Sequence, residues 1–187
     1  MHLKFVDSYL IRSFASAKME KKLFLILHNI RSAYNVGAIF RTADGAGVSK
    51  IFLTGYSHAP SHEENQDLKS KADKMIEKTA LGGEKSVSWE KCGDIFELIE
   101  KLKGEGCEVV ALETTTDAIE LGKFEPNCSV ALILGNEVDG LSLEILEKCN
   151  CAVATPMRGM KGSLNVSIAA GVAAYGIMDK LIPEQSI

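Results

Sequence analysis

Three stretches of this chain bring together residue types that can do chemistry. The first is His28-Asn29-Ile30-Arg31-Ser32-Ala33-Tyr34-Asn35, which runs into Val36-Gly37-Ala38-Ile39-Phe40-Arg41-Thr42-Ala43. Placed on a helix, Val36, Ile39, Phe40 and Ala43 share one face, and Arg41 points about 150° from its centre. Helical side chains lean toward the N-terminus, so Arg41 lies over the turn holding Asn35 and Gly37. Gly37 is expected to leave room above the guanidinium for an anion or phosphate. An N-cap asparagine beside a solvated arginine explains the same residues. The second stretch is Leu134-Gly135-Asn136-Glu137-Val138-Asp139-Gly140-Leu141-Ser142. Its first glycine lets a ligand approach the backbone, and Glu137 stands where a carboxylate meets ligand hydroxyls or a cation. A plain turn with Ser142 capping the next helix is the alternative. In the third stretch, Thr155-Pro156-Met157-Arg158-Gly159-Met160-Lys161-Gly162 leads into Ser163-Leu164-Asn165-Val166-Ser167 and a helix built mostly of small residues. Ser163 and Asn165 offer hydroxyl, amide and free N–H groups near the helix start, although capping by Ser163 explains part of this.

Signals that are missing narrow the chemistry. No GxGxxG, GxxxxGK[ST] or GxSxG occurs, so dinucleotide, P-loop and hydrolase-elbow readings fall. His58 and His62 are four apart, but Pro60 between them breaks the helix that would align them. Cys149 and Cys151 point to opposite sides of an extended chain. No metal site is expected.

The elements that must position these stretches form a pattern of their own. Residues 23–27, 48–53, 107–112, 129–134 and 151–155 are near-continuous apolar runs, as expected for strands covered on both faces. Helical candidates at 36–45, 65–80, 94–103, 142–148 and 163–181 alternate with them, and residues 86–89 add a further candidate strand. This is the rhythm of a doubly wound α/β parallel sheet, in which ligands bind at the carboxyl ends of the strands. The three chemical stretches all follow apolar runs. Residues 1–22, with Phe5, Tyr9, Ile11 and Phe14 among lysines, read as an N-terminal helical extension, and residues 23–187 as one domain.

Length and charge set further bounds. A chain of 187 residues accommodates one domain. The most apolar stretch, 168–178, falls short of the ~20 residues of a bilayer span, and the opening Met1-His2-Leu3-Lys4 precedes no uninterrupted apolar segment. A soluble cytoplasmic protein is expected. The five cysteines are odd in number and lack a CxxC, so they read as buried free thiols. A net charge of −4 argues against a body coated in nucleic-acid-binding charge but leaves room for a local basic patch.

Together and in order, the three stretches resemble the signatures of the SPOUT superfamily of S-adenosylmethionine-dependent RNA methyltransferases. The resemblance is to its TrmH (SpoU) branch, which methylates ribose 2′-hydroxyls. N-x-G-x-x-x-R-T-A stands here from Asn35 to Ala43, L-G-x-E-x-x-G-L-S from Leu134 to Ser142, and P-M-x-G-x-x-x-S-L-N-V-S from Pro156 to Ser167. The similarity covers Leu23 to Tyr175. It implies a C-terminal trefoil knot that a topology argument alone would exclude. It also implies S-adenosylmethionine contacts at Thr114, Gly135, Thr155, Met157, Ser163 and Leu164, although the family usually has an aliphatic residue at the position of Thr155. Arg41 matches the catalytic arginine, with Asn35, Glu137, Ser163 and Asn165 around it. The resemblance further implies a homodimer in which the arginine of one subunit reaches the cofactor of the other, and an RNA substrate, tRNA guanosine first, with neither DNA nor membrane as partner. Ribosomal RNA, another tRNA position, or a knotted RNA-binding protein without catalysis are the alternatives. RNA contact would come from cations such as Arg12, Lys18, Lys21, Lys22, Arg31, Arg158 and Lys161, since the extra N-terminal residues are too few for a recognition domain.

Overall fold

The structure, a computed structural model, describes residues 20–182. The expected N-terminal helix falls almost wholly outside the described residues. The chain runs β1 (Leu23–His28), α1 (Ala33–Ala46), β2 (Lys50–Thr54), α2 (Lys71–Ala80), α3 (Gly83–Ser86), β3 (Trp89–Lys91) and α4 (Ile95–Gly104). It continues through β4 (Glu108–Leu112), β5 (Ile119–Glu120), a 3₁₀ turn (Leu121–Lys123), β6 (Val130–Leu134), α5 (Leu143–Lys148), β7 (Cys151–Ala154) and α6 (Val166–Leu181).

The seven strands form one sheet in the order β3-β2-β1-β6-β4-β7-β5, and every pairing is parallel. Strands buried on both faces explain the apolar runs. Leu23, Leu25 and Leu27 pack under α1, α2 and α6, while Ile26 faces the opposite layer with α4 and α5. Each such fully buried side chain contributes about 1.5–3 kcal/mol. From β1 the chain leaves toward β2, and from β6, its neighbour, it leaves toward β7 by way of α5. The loops after β1 and β6 therefore diverge, and this opens the crevice in which such sheets bind ligands.

Several expectations are corrected in detail. The helix expected at 65–80 begins only at Lys71, where Ser70 and Asp73 form a reciprocal capping box. The strand expected at 86–89 is Trp89–Lys91, preceded by the short α3, and β5 is an addition. Ser32, not Asn35, caps α1, and Asn165, not Ser163, caps α6, because these residues hold the extended backbone that ends each helix. Gly37 does not make room for an anion. It is buried against α2, and a Cβ there would lie 2.2 Å from Thr79 Oγ1 and 2.3 Å from the Ile76 carbonyl. Glycine here permits close helix packing. Of the cysteines only Cys107 is buried, and the other four are half-buried. Burial pushes the Cys149 thiol up to about 11, which leaves it a poor nucleophile at neutral pH.

α6 packs on α1 and the sheet through Ala170, Ala173, Ala174, Ile177, Met178 and Leu181. Its end is clamped by Lys180 Nζ, which donates to the carbonyls of Gly122 (2.8 Å) and Phe124 (2.6 Å) and to Glu125 Oε1 (3.1 Å). The opposite face exposes Ile168, Val172 and Tyr175, spaced as one helical stripe. Among the described residues no helix is long and apolar enough to cross a membrane.

Candidate active site at the strand ends

Glu137, in the turn after β6, joins the three chemical stretches. Its Oε2 accepts from the Arg31 amide (2.9 Å), and its Oε1 accepts from the Ser32 amide (3.1 Å) and from Asn35 Nδ2 (2.9 Å). A carboxylate thus sits on the free N–H groups at the start of α1, where the helix dipole also favours negative charge. Asn35 is left with its carbonyl, which accepts from Asn165 Nδ2 at 3.3 Å. Asn165 Oδ1 in turn accepts from the amide and hydroxyl of Ser167 at the head of α6. Burial alone would raise the pKa of Glu137, but the Arg31 amide, the Asn35 side chain and the Ser32 amide outweigh it and hold the carboxyl below its ordinary value. A depressed folded-state pKa means that the stabilisation is present above the ordinary carboxylate value and is lost as pH falls through the depressed one.

The turn carrying Glu137 is itself held from two sides. Asn136 Oδ1 accepts from the amides of Val138 (2.7 Å) and Asp139 (2.9 Å), and its Nδ2 donates to the Asn29 carbonyl (3.1 Å) and to the Tyr56 hydroxyl (2.6 Å). Glu113, just past β4, accepts from the amides of Leu141 (3.1 Å) and Thr114 (3.0 Å). A Cβ on Gly135 would lie 2.6 Å from the Gly140 carbonyl carbon, and one on Gly140 would lie 2.4 Å from Glu113 Oε2. Sequence reasoning gave no role to Asn136, Glu113 or Tyr56. A polar residue straight after an apolar run was the available signal for Glu113.

Beside this turn a cavity of about 490 Å³ opens at the ends of β4, β6 and β7. Its walls include Thr114, Gly135, Thr155, Met157, Ser163 and Leu164, together with Glu137 and Asn165. All six positions expected to hold the cofactor therefore meet in one place. The volume falls within the range of small-molecule sites, about 300–1,000 Å³, and the mixture of apolar walls with a few polar groups is typical of them. Asn35 stands behind Glu137 rather than in the wall. Arg41 does not line the cavity of its own chain; it is exposed on α1.

The Thr155 hydroxyl is buried without a hydrogen-bond partner. An orphaned hydroxyl on the wall of a cavity that otherwise suits an adenosyl group is a polar group waiting for a ligand. Replacing Thr155 by valine keeps the shape and removes the unmet group, so thermal denaturation of the unliganded variant should show a gain of about 1 kcal/mol. A variant less stable than the wild type would show that this hydroxyl is satisfied in solution.

The model of the SpoU rRNA Methylase family matches residues 22–175. The chain belongs to the SpoU rRNA methylase family. It is 30% identical over 158 residues to the tRNA (guanosine(18)-2′-O)-methyltransferase of Aquifex aeolicus, covering 84% of this chain and 69% of that one. Among solved structures it resembles the A. aeolicus TrmH/SpoU tRNA modifying enzyme, with TM-score 0.70 and 28% identity over 86% of this chain and 75% of that one. The AdoMet-bound rRNA methyltransferase of Sinorhizobium meliloti shares the fold, with TM-score 0.75 and 24% identity over 88% of this chain and 58% of that one. As a SpoU-family methylase, the chain is an S-adenosylmethionine-dependent RNA methyltransferase.

Proposed function

We propose that this SpoU-family methylase transfers the methyl group of S-adenosylmethionine to a ribose 2′-hydroxyl of RNA, with a tRNA guanosine as the first candidate. The observation that carries the reading is the Glu137–Asn35–Asn165 chain, which ties three loops together at the mouth of a cavity fitted to the cofactor. The bound cofactor supplies an electrophilic methyl on a sulfonium. The 2′-oxygen would bond to that carbon as the carbon–sulfur bond breaks, the electron pair staying on sulfur and the hydroxyl proton passing to solvent water. Thr114, Gly135, Thr155, Met157, Ser163 and Leu164, which line the cavity, would hold the cofactor. Glu137, Asn35, Ser163 and Asn165 orient the ribose. Arg41 supplies the positive charge that positions a phosphate and stabilises the developing alkoxide.

The position of Arg41 supports a homodimer in which each copy completes the site of the other. Arg41 precedes Gly45 by one helical turn on the same face of α1, and a Cβ on Gly45 would lie 2.9 Å from the Tyr175 hydroxyl. Arg41 thus borders the exposed stripe of Ile168, Val172 and Tyr175, which a second copy would cover. A trefoil knot, with residues 23–187 as one cytoplasmic catalytic domain, completes the proposal. The segment between β5 and β6, whose Leu121 and Phe124 pack in one core with α6 and whose Gly122 and Phe124 carbonyls accept from Lys180, supports the knot.

Incubation with labelled S-adenosylmethionine and separate pools of tRNA and rRNA tests the reaction. Label is expected in tRNA as 2′-O-methylguanosine. Absence of transfer to either pool, together with absent cofactor binding, would sink the proposal. The family's description names rRNA, and label confined to that pool would move the target without changing the chemistry. Cofactor binding without turnover on any RNA would identify a non-catalytic RNA-binding protein.

A further inference from the structure

Tyr56, at the carboxyl end of β2, is an exposed aromatic held with unusual care. The residue is 55% exposed, and among the described residues no other aromatic ring stacks on it. Yet the residue is fastened from four directions. Its amide donates to Asn29 Oδ1 at 3.1 Å. The carbonyls on either side, of Gly55 and Ser57, accept from Lys91 Nζ at 2.6 and 2.8 Å. The ring hydroxyl accepts from Asn136 Nδ2 at 2.6 Å. Asn29 is fixed in turn, since its Nδ2 donates to His28 Nε2 and the other ring nitrogen of His28 therefore donates to Thr54 Oγ1, each at 2.9 Å.

The backbone is shaped to allow this. Asn29 and Gly55 both adopt left-handed conformations, with φ of 57° and 60°. A Cβ on Gly55 would lie 1.9 Å from Asn29 Oδ1, so glycine is required. Strained, over-determined backbone of this kind concentrates at functional sites. An exposed side chain gains little stability from such restraint. What the restraint does provide is a flat apolar face whose orientation is set before any partner arrives, so that less conformational entropy is lost on binding. Asn136, which holds the ring, lines the cavity and adjoins Glu137. The ring therefore stands on the rim of the reaction site on its β1–β2 side, with His58 exposed two residues further on.

We propose that Tyr56 is a stacking platform for an RNA nucleobase, either that of the methylated nucleotide or that of its neighbour. Unstacked bases in RNA are recognised by aromatic faces in this way, and a ribose presented at the cavity mouth brings its own base to the rim. The proposal rests on the RNA-methyltransferase reading above and extends it to how the substrate is gripped.

The test compares the wild type with Tyr56→Ala, Tyr56→Phe and Tyr56→Trp. Fluorescence anisotropy on end-labelled total tRNA and total rRNA reads RNA affinity, calorimetry with S-adenosylhomocysteine reads the cavity, and sedimentation reads the oligomeric state. Tyr56→Ala is expected to weaken RNA binding by about 5- to 100-fold and to leave S-adenosylhomocysteine affinity within about twofold. The phenylalanine and tryptophan variants, which keep a ring, should bind RNA within about threefold of the wild type. RNA affinity unchanged in Tyr56→Ala would overturn the proposal. So would an equal loss of S-adenosylhomocysteine binding, which would place the residue in the support of Asn136, or a loss of dimer, which would assign the ring to a subunit contact. A wild type that binds neither RNA pool also overturns it. If the wild type binds RNA but never methylates it, the catalytic reading fails and the platform is judged by the same affinities. If the wild type methylates RNA and Tyr56→Ala matches it, the platform alone fails.

Discussion

Replacing Arg41 by alanine is expected to lower methyl transfer by about 10²- to 10³-fold, the usual effect of removing a charge-stabilising donor. S-adenosylhomocysteine affinity should stay within about twofold of the wild type. The split follows from geometry. Arg41 is exposed and absent from the cavity wall, and among the described residues its side chain makes no hydrogen bond or ion pair, so its loss disturbs neither the fold nor the pocket. A mixture sharpens the test. A chain lacking Arg41 still offers an intact cavity, and a chain with a blocked cavity still offers Arg41. Mixed dimers of the two should recover part of the lost activity, whereas an arginine acting within its own chain predicts no recovery. Equal loss of transfer and cofactor affinity in the single variant would mark Arg41 as structural.

The blocked cavity can be made at Gly135. A Cβ there would lie 2.6 and 2.7 Å from the Gly140 carbonyl carbon and oxygen and 2.8 Å from Leu141 Cγ. Two of these neighbours are backbone, and they belong to a turn tied to Glu113, Asn136 and Asn29. The turn has little freedom to yield, and overpacking of this kind costs about 1–3 kcal/mol. Gly135→Ala should therefore lower thermal stability and weaken S-adenosylhomocysteine binding by about 5- to 150-fold, the shift that about 1–3 kcal/mol produces. The α/β circular dichroism should persist, since the strand cores lie away from the turn. Unchanged affinity by calorimetry would show that the cofactor does not use this wall.

The central strands were legible because each is covered on both faces. Residues 23–27 and 129–134 can be little else in a chain with this rhythm, and they are β1 and β6. β5 was not legible, since two residues carry no periodicity. The helix expected from Asn65 starts later because Asn65 and Glu63 accept from nearby backbone amides and draw that segment into turns. In the site, the stretches around Asn35, Glu137 and Asn165 stood out by residue type and spacing, but their pairing did not. Which asparagine caps a helix depends on backbone conformation, and Asn35 lies inside α1 while Asn165 sits at the cap of α6. The purpose of Gly37 depended on where α2 would pack. Glu113 and Tyr56 act through partners 28 and 80 residues away, and nothing local announces them.

The bonds that close the site join Arg31 to Glu137 across 106 residues, Asn29 to Asn136 across 107, and Asn35 to Asn165 across 130. Helices form in about a microsecond, but contacts between such distant parts of a chain form far more slowly. During refolding, helical signal will therefore return before the capacity to bind cofactor. A growing chain acquires that capacity only after residue 165 is available, when the whole sheet has been made. Cofactor binding is thus a readout of completed folding, and partly folded molecules will not sequester S-adenosylmethionine.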